Sequence, residues 1–305
     1  MKGNFVISMT AHIKIALVGG DARQATAAER LSKEGHSISF FAGASSNEAG
    51  VQRAHSLAEA LNGASAVVLP LPSTTDGVNL NAPFYDGESI ALFEILNLMP
   101  REALLVGGRI PDSIALEAEK LKIRVVDYFK SEAFQIKNAY TTAEAAISIA
   151  MGNLKKNIHG SRFAVTGYGR IARALTDLLV AFGATVSVFA RKESDLAWAS
   201  LAGANSIRLD ADSVKKMKQG YDIIFNTVPA YLFYEDFLLE MDKGTLIVDL
   251  ASSPGGVDVL AAKRIGANVL WANSLPGKYA PVSAGALIAD CIADIIERIE
   301  SEVAK

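Results

Sequence analysis

A chain of 305 residues with one cysteine, Cys291, cannot close a disulfide on itself, so burial and hydrogen bonding must hold it together. A lone thiol also fits a reducing compartment. Histidine is nearly as scarce. The four present, His12, His36, His55 and His159, show no two-histidine or Cys/His spacing of a metal site, and no metal is expected. No apolar run reaches the roughly 18 residues that would suggest a membrane span. The opening stretch Met1–Thr10 has one lysine and a short apolar segment, too little for a secretory leader. Neither sign of charge prevails. With 30 Lys and Arg against 33 Asp and Glu, the net charge of −3 offers no footprint for nucleic acid or an anionic membrane surface. A soluble, cytoplasmic protein is expected.

What is present is apolar sequence in short, regular blocks. Half of the residues are hydrophobic, which excludes a disordered chain, and the length favours two domains that each bury a core. In the second half, Arg162–Thr166, Thr185–Ala190, Tyr221–Asn226, Thr245–Ala251 and Ala267–Trp271 read as strands, and Ile171–Phe182 has helical spacing. Nearly continuous apolar strands separated by helices indicate a parallel sheet covered on both faces. The first half repeats the rhythm: strands at Ile13–Val18, Ser37–Phe41, Ala66–Leu69, Ala103–Val106 and Ile123–Val126, with a helix at Ala22–Glu34. Pro70–Gly87, rich in proline, glycine and hydroxyl residues, reads as a long loop at a strand end, where loops commonly line sites. Ala143–Leu154 reads as a helix with Thr141 and Thr142 as N-caps.

The expected fold is α/β with two doubly wound parallel-sheet domains. A flavodoxin-like N-terminal domain would span 1–138, a connecting helix and linker 139–160, and an NAD(P)-binding Rossmann domain 161–282. A C-terminal helix, 283–305, would pack at the domain junction.

Gly167-Tyr168-Gly169-Arg170-Ile171-Ala172 matches G-x-G-x-x-[GA] and, unlike a stray match, follows a strand and opens a helix. Gly167 permits the turn, Gly169 lets a pyrophosphate approach the backbone, and Ala172 allows close helix–strand packing. The anion would sit on the helix N-terminus. An NAD site usually places Asp or Glu at the end of the next strand, on the ribose 2′-OH. Here that place reads Ala190-Arg191-Lys192, two cations suited to a 2′-phosphate, so NADP is preferred over NAD. Thr227, Val228 and Pro229 follow the next strand and would border the nicotinamide ribose.

Several segments together resemble one family. They are Gly19-Gly20-Asp21-Ala22-Arg23, Thr141-Thr142-Ala143-Glu144, the cofactor loop with Ala190-Arg191-Lys192, and the run Leu275-Pro276-Gly277-Lys278-Tyr279-Ala280-Pro281-Val282-Ser283-Ala284-Gly285. In combination they resemble the A subunits of dipicolinate synthase over nearly the whole chain. The Rossmann part is also similar to alanine dehydrogenases. The resemblance implies NADP-dependent oxidation of dihydrodipicolinate, formed by dehydration of the lysine-pathway intermediate 4-hydroxy-tetrahydrodipicolinate. It implies a flavoprotein-like B subunit of dipicolinate synthase as partner, an oligomer, and a role in endospore formation in the mother cell.

The substrate so implied is a dianion and needs cationic or multiple hydrogen-bond donors. Arg23 and Arg109 each follow a Gly-Gly pair at a strand end and would face the cleft between the domains as carboxylate binders, with Ser252, Ser253 and Thr142 as further donors. Aromatisation supplies the driving force, so the site must hold the ring and accept one proton. Asp21, Glu144 and Lys278 are the candidate catalytic groups; Asp21 can instead orient Arg23 or cap the following helix, and His159 reads as structural. Two rivals remain. A hydroxy-acid or amino-acid dehydrogenase is disfavoured because no histidine follows Trp271 and Ser253-Pro254 stands where alanine dehydrogenases carry an acidic residue. A non-catalytic NADP-binding subunit is the other.

Overall fold

The computed structural model describes residues 12–46 and 48–303; the Met1–Thr10 stretch lies outside them. The chain forms two compact units, Met1–Gln135 with Pro281–Lys305, and Ile136–Ala280.

The first unit contains β1 (Lys14–Val18), α1 (Ala22–Lys33), β2 (Ser37–Phe41), β3 (Val51–Arg53), α2 (Leu57–Leu61), β4 (Ala66–Val68), α3 (Leu92–Leu98), β5 (Leu104–Gly107), α4 (Asp112–Lys120), β6 (Val125–Asp127) and the start of α5 (Glu132–Asn153). Its strands are parallel in the order β3-β2-β1-β4-β5-β6. Without the three-residue edge strand β3 this is the flavodoxin-like order, and with it the Rossmann order. Period-two alternation splits β1 between two cores. Ala16 and Val18 face a cluster with Leu61, Leu92, Ile95 and Ile114, while Ile15 and Leu17 face one with Leu31, Phe134, Ile288 and Ile292. The last two come from α12 (Pro281–Val303), which packs along α1. Gly285 is needed there, because a Cβ would lie 2.5 Å from the Arg23 carbonyl oxygen. Arg30 and Asp290 pair across the same contact.

The second unit holds β7 (Arg162–Thr166), α6 (Arg170–Ala181), β8 (Thr185–Ala190), α7 (Glu193–Leu201), β9 (Asn205–Arg208), α8 (Ala211–Lys216), β10 (Ile223–Asn226), α9 (Glu235–Glu240), β11 (Leu246–Asp249), α10 (Val259–Ile265), β12 (Val269–Trp271) and α11 (Leu275–Tyr279). The order β12-β11-β10-β7-β8-β9, all parallel, is the Rossmann order. Phe163 and Val165 face one core with Leu175, Leu179 and the α5 residues Ile147 and Ile149, and Ala164 faces another with Phe189, Ile224, Phe237 and Ile247.

One expected element is corrected. Thr141 and Thr142 are not N-caps of a helix starting at Ala143; they lie inside α5, which begins at Glu132. Ser131 supplies the cap, its Oγ accepting from the Phe134 N–H at 3.3 Å. Glu132–Tyr140 then continues the helical pattern without a breaker. The edge strands β3 and β9 were not expected, because they are short, polar and largely exposed.

Candidate functional site

β7 delivers the chain into Gly167, whose φ of 84° is left-handed, and whose N–H is taken by the Phe189 carbonyl at 2.8 Å. A Cβ at Gly167 would lie 2.6 Å from Thr227 Oγ1, so both backbone angle and space require glycine. Gly169 differs. It is the N-cap of α6, makes no side-chain cap, and a Cβ there would meet nothing within 4 Å. The first-turn N–H groups of a helix have no intrahelical acceptor, so an open, uncapped N-terminus is an anion cradle. The residues present therefore fit a dinucleotide pyrophosphate. Ala172 is fully buried behind the turn. The Tyr168 ring is buried under the Arg173 guanidinium, 5.2 Å from its centroid, which leaves only the backbone of Tyr168 toward the cradle. Burial pushes the Tyr168 hydroxyl pKa up.

β8 ends at Ala190, and Arg191 and Lys192 follow, both exposed, with no acidic residue before Glu193. Arg191 lines a cavity of about 410 Å³ with Val228, Tyr231, Asp210 and Lys215. Arg208 pairs in register with Ala190 and adds another cation at this edge.

Three buried polar residues interlock at the carboxyl ends of β7, β10 and β11. Thr166 Oγ1 lies 2.6 Å from Asn226 Oδ1, and Asn226 Nδ2 donates to Asp249 Oδ1 at 2.8 Å. Asp249 also accepts from the N–H of Ala251 at 3.1 Å and of Gly256 at 2.7 Å, gathering the loop that exposes Ser252 and Ser253. Thr227 Oγ1 donates to the Thr166 carbonyl at 2.7 Å, and Pro229 is exposed beyond it. Lys278 lies on α11, exposed, with Nζ 3.2 Å from Asn273 Oδ1. Thr142 is buried and its hydroxyl donates to the Asn138 carbonyl, while Glu144 is exposed on the same helix. His159 packs on Gly183 before β7, at the opposite edge of the sheet from the glycine turn.

The first unit assembles its own cluster at the carboxyl ends of β1, β4 and β5. Arg23 is 8% exposed. Asp21 takes it in a fork, Nε to Oδ1 at 2.9 Å and Nη2 to Oδ2 at 2.8 Å, and Nη2 also donates to the Leu71 carbonyl at 2.6 Å. Asp21 caps α1 as well, accepting from the Arg23 N–H at 3.0 Å. Burial opposes ionisation of Asp21, but the Arg23 fork and backbone donor outweigh it and hold the carboxyl below its ordinary range. The two structural roles open to Asp21, capping and orienting, are thus realised at once. Arg23 is no loose surface arginine. The loop between β4 and α3 folds over these strand ends: Asn81 accepts from the Gly20 N–H, and Gly108 accepts from Ser73. Arg109 stands at the same edge, exposed, after Gly107 and Gly108. Tyr128 OH, fully buried beneath, has no hydrogen-bond partner, and burial pushes its pKa far up.

Among the described residues, no group of three or more His, Cys, Asp and Glu side chains is placed to hold a metal ion, and no helix is long and apolar enough to cross a membrane.

Residues 14–129 match the N-terminal domain of the dipicolinate synthase A subunit, and residues 135–254 match the NAD binding domain of D-isomer specific 2-hydroxyacid dehydrogenases. The dipicolinate synthase A subunit of Bacillus subtilis (strain 168) is 29% identical over 97% of this chain and 100% of its own length. The crystal structure of that synthase's A chain from Bacillus subtilis superposes with a TM-score of 0.81 at 29% identity, covering 96% of this chain and 98% of that one. The A-subunit structure from Bacillus halodurans gives 0.81 at 28% identity, covering 95% and 99%. The resemblance expected from the motifs therefore holds over nearly the whole chain, which is similar to dipicolinate synthase A subunits and carries a match to a dehydrogenase-type NAD binding domain.

Proposed function

We propose that this homologue oxidises dihydrodipicolinate to dipicolinate with NADP, on the route from 4-hydroxy-tetrahydrodipicolinate and together with a flavoprotein-like B subunit. The observation that carries the reading is Arg23: a buried guanidinium, aimed by Asp21 and the Leu71 carbonyl at the carboxyl edge of a parallel sheet, where ligands of such folds bind. Asp21 and the Leu71 carbonyl take Nε and Nη2, so the Nη1 N–H groups are the donors Arg23 keeps for a carboxylate.

In this reading Arg23 and Arg109 bind the two carboxylates. Within the second unit, Ser252, Ser253 and Lys278 are exposed hydrogen-bond donors. Thr142, whose proton is committed to Asn138, contributes only an acceptor. Gly167, Gly169, Arg170 and Ile171 form the pyrophosphate turn, with Thr227, Val228 and Pro229 along the ribose. Arg191 and Lys192 take the 2′-phosphate, which would favour NADP over NAD. The bound nucleotide supplies the hydride acceptor. The ring loses one hydride and one proton and becomes aromatic. Asp21, ionised and held by Arg23, keeps that cation in place rather than acting as a strong base, and exposed Glu144 takes the proton or passes it to water.

The test is to combine the purified chain with its partner subunit, generate dihydrodipicolinate in situ, and follow pyridine absorbance. NADP-dependent growth of that absorbance is expected. Absence of product under every combination of partner and nucleotide would leave the non-catalytic binding subunit as the surviving reading.

A further inference from the structure

The chain turns from β5 through Gly107 and Gly108 into Arg109, whose φ is 56°. A side chain with a Cβ is disfavoured in this left-handed region, and arginine has no short polar group to bond locally and relieve it. A turn selected only for its path would carry glycine or asparagine.

One carboxylate holds the disfavoured geometry. Asp127 Oδ1 accepts from the Arg109 N–H at 3.1 Å, and Oδ2 accepts from the Ile110 N–H at 3.2 Å. The same Oδ1 accepts from the Phe129 N–H at 2.9 Å, which fixes the turn that presents the Phe129 ring. The Arg109 guanidinium lies over that ring, 4.5 Å from its centroid. Asp127 therefore sets both the backbone that carries the cation and the shelf on which it rests.

The charge itself is left unmatched. Arg23 has Asp21, whereas among the described residues no carboxylate lies within ion-pair range of the Arg109 guanidinium. Strained residues persist where surrounding structure over-determines them, and they cluster at binding sites. A guanidinium resting on an aromatic face keeps its N–H edges free for an anion in the plane of the guanidinium.

We infer that Asp127 and Phe129 are positioning residues that preorganise Arg109 as an anchor for one carboxylate of a planar dianion. The inference rests on the proposed function and adds to it the two residues that aim the second anchor. Preorganisation lowers the ordering cost of binding, so the effect belongs in affinity and not in turnover.

The experiment measures dipicolinate binding to the full-length chain by calorimetry, alongside NADPH binding and thermal stability, for Arg109→Gly, Phe129→Leu, Phe129→Tyr and Asp127→Asn. Arg109→Gly should weaken dipicolinate by roughly 10- to 100-fold, leave NADPH within about twofold, and raise or preserve the melting temperature, since glycine relieves the backbone. Phe129→Leu should weaken dipicolinate by roughly 3- to 10-fold, and Phe129→Tyr, which keeps a ring face, should restore it. Asp127→Asn sets an amide N–H against a backbone donor and should weaken dipicolinate similarly with NADPH unchanged. For picolinate, which lacks one carboxylate, the Arg109→Gly penalty should shrink toward unity. If Arg109→Gly leaves dipicolinate affinity intact, the anchor in the proposed function fails. If Arg109→Gly weakens binding but neither Phe129→Leu nor Asp127→Asn does, the positioning inference alone is overturned.

Discussion

Asn226 and Asp249, side by side in register on β10 and β11, meet through a 2.8 Å hydrogen bond between side chains that are both buried. Asn226 spends its amide on Asp249 Oδ1 and the Val228 carbonyl, and its carbonyl on Thr166 and the Val228 N–H. Every polar atom of the pair is engaged, so an apolar replacement of either partner strands the other. Asp249→Leu should destabilise the protein by about 2–4 kcal/mol, read as a fall in urea midpoint. A loss below about 0.5 kcal/mol would mean that the network relaxes freely and does not organise the 250–256 loop.

The two glycines of the cofactor turn should separate stability from binding. Gly167→Ala meets a φ of 84° and a clash with Thr227 Oγ1, and should lower stability by about 1–3 kcal/mol. Gly169→Ala has an ordinary φ of −78° and empty space before it. It should leave the melting temperature alone while weakening NADPH by more than about tenfold, because the methyl enters the space the pyrophosphate needs. Equal effects of both variants on stability would contradict this division.

Nucleotide choice is tested at the end of β8. If Arg191 holds the 2′-phosphate as proposed, Arg191→Asp should reduce NADP affinity by at least about tenfold more than NAD affinity. A uniform loss for both nucleotides, measured by fluorescence titration, would remove Arg191 from the 2′-phosphate.

Asp21 gives a pH signature. Its folded pKa is depressed, so its stabilisation is present above the unfolded value of about 3.9 and is lost as pH falls through the lower folded value. Melting temperature followed downward from pH 5 should therefore fall more steeply for the native chain than for Asp21→Asn, with the curves converging below the folded pKa. Parallel curves would show that the Arg23 fork contributes nothing to stability.

The βα rhythm was legible because buried parallel strands such as Phe163–Val165 and Ile15–Val18 must be apolar on both faces. The glycine turn was legible because its constraints are local. β9 was not, since an exposed edge strand needs no apolar run. The true start of α5 was hidden by a better-looking pair of threonines ten residues on from Ser131. Asn226 and Asp249 are 23 positions apart, and only the adjacency of β10 and β11 makes them partners. The backbone angle of Arg109 likewise has no sequence mark, because arginine is not a residue that turn rules place at positive φ.

The helix α12 carries a consequence for synthesis. Ile288, Ile292, Ile295 and Ile296 belong to the same core as Ile15, Leu17 and Leu31. A ribosome releases those two contributions at opposite ends of translation, with Ile136–Ala280 made in between. Nascent domains ordinarily fold in the order they emerge. Here the amino-terminal sheet must wait on the order of ten seconds, at the usual elongation rate, for the helix that closes it. A nascent chain stalled just after Ala280 should show protease protection across 162–271 and leave the segment 14–127 open to cleavage. Release of the full chain should then seal it.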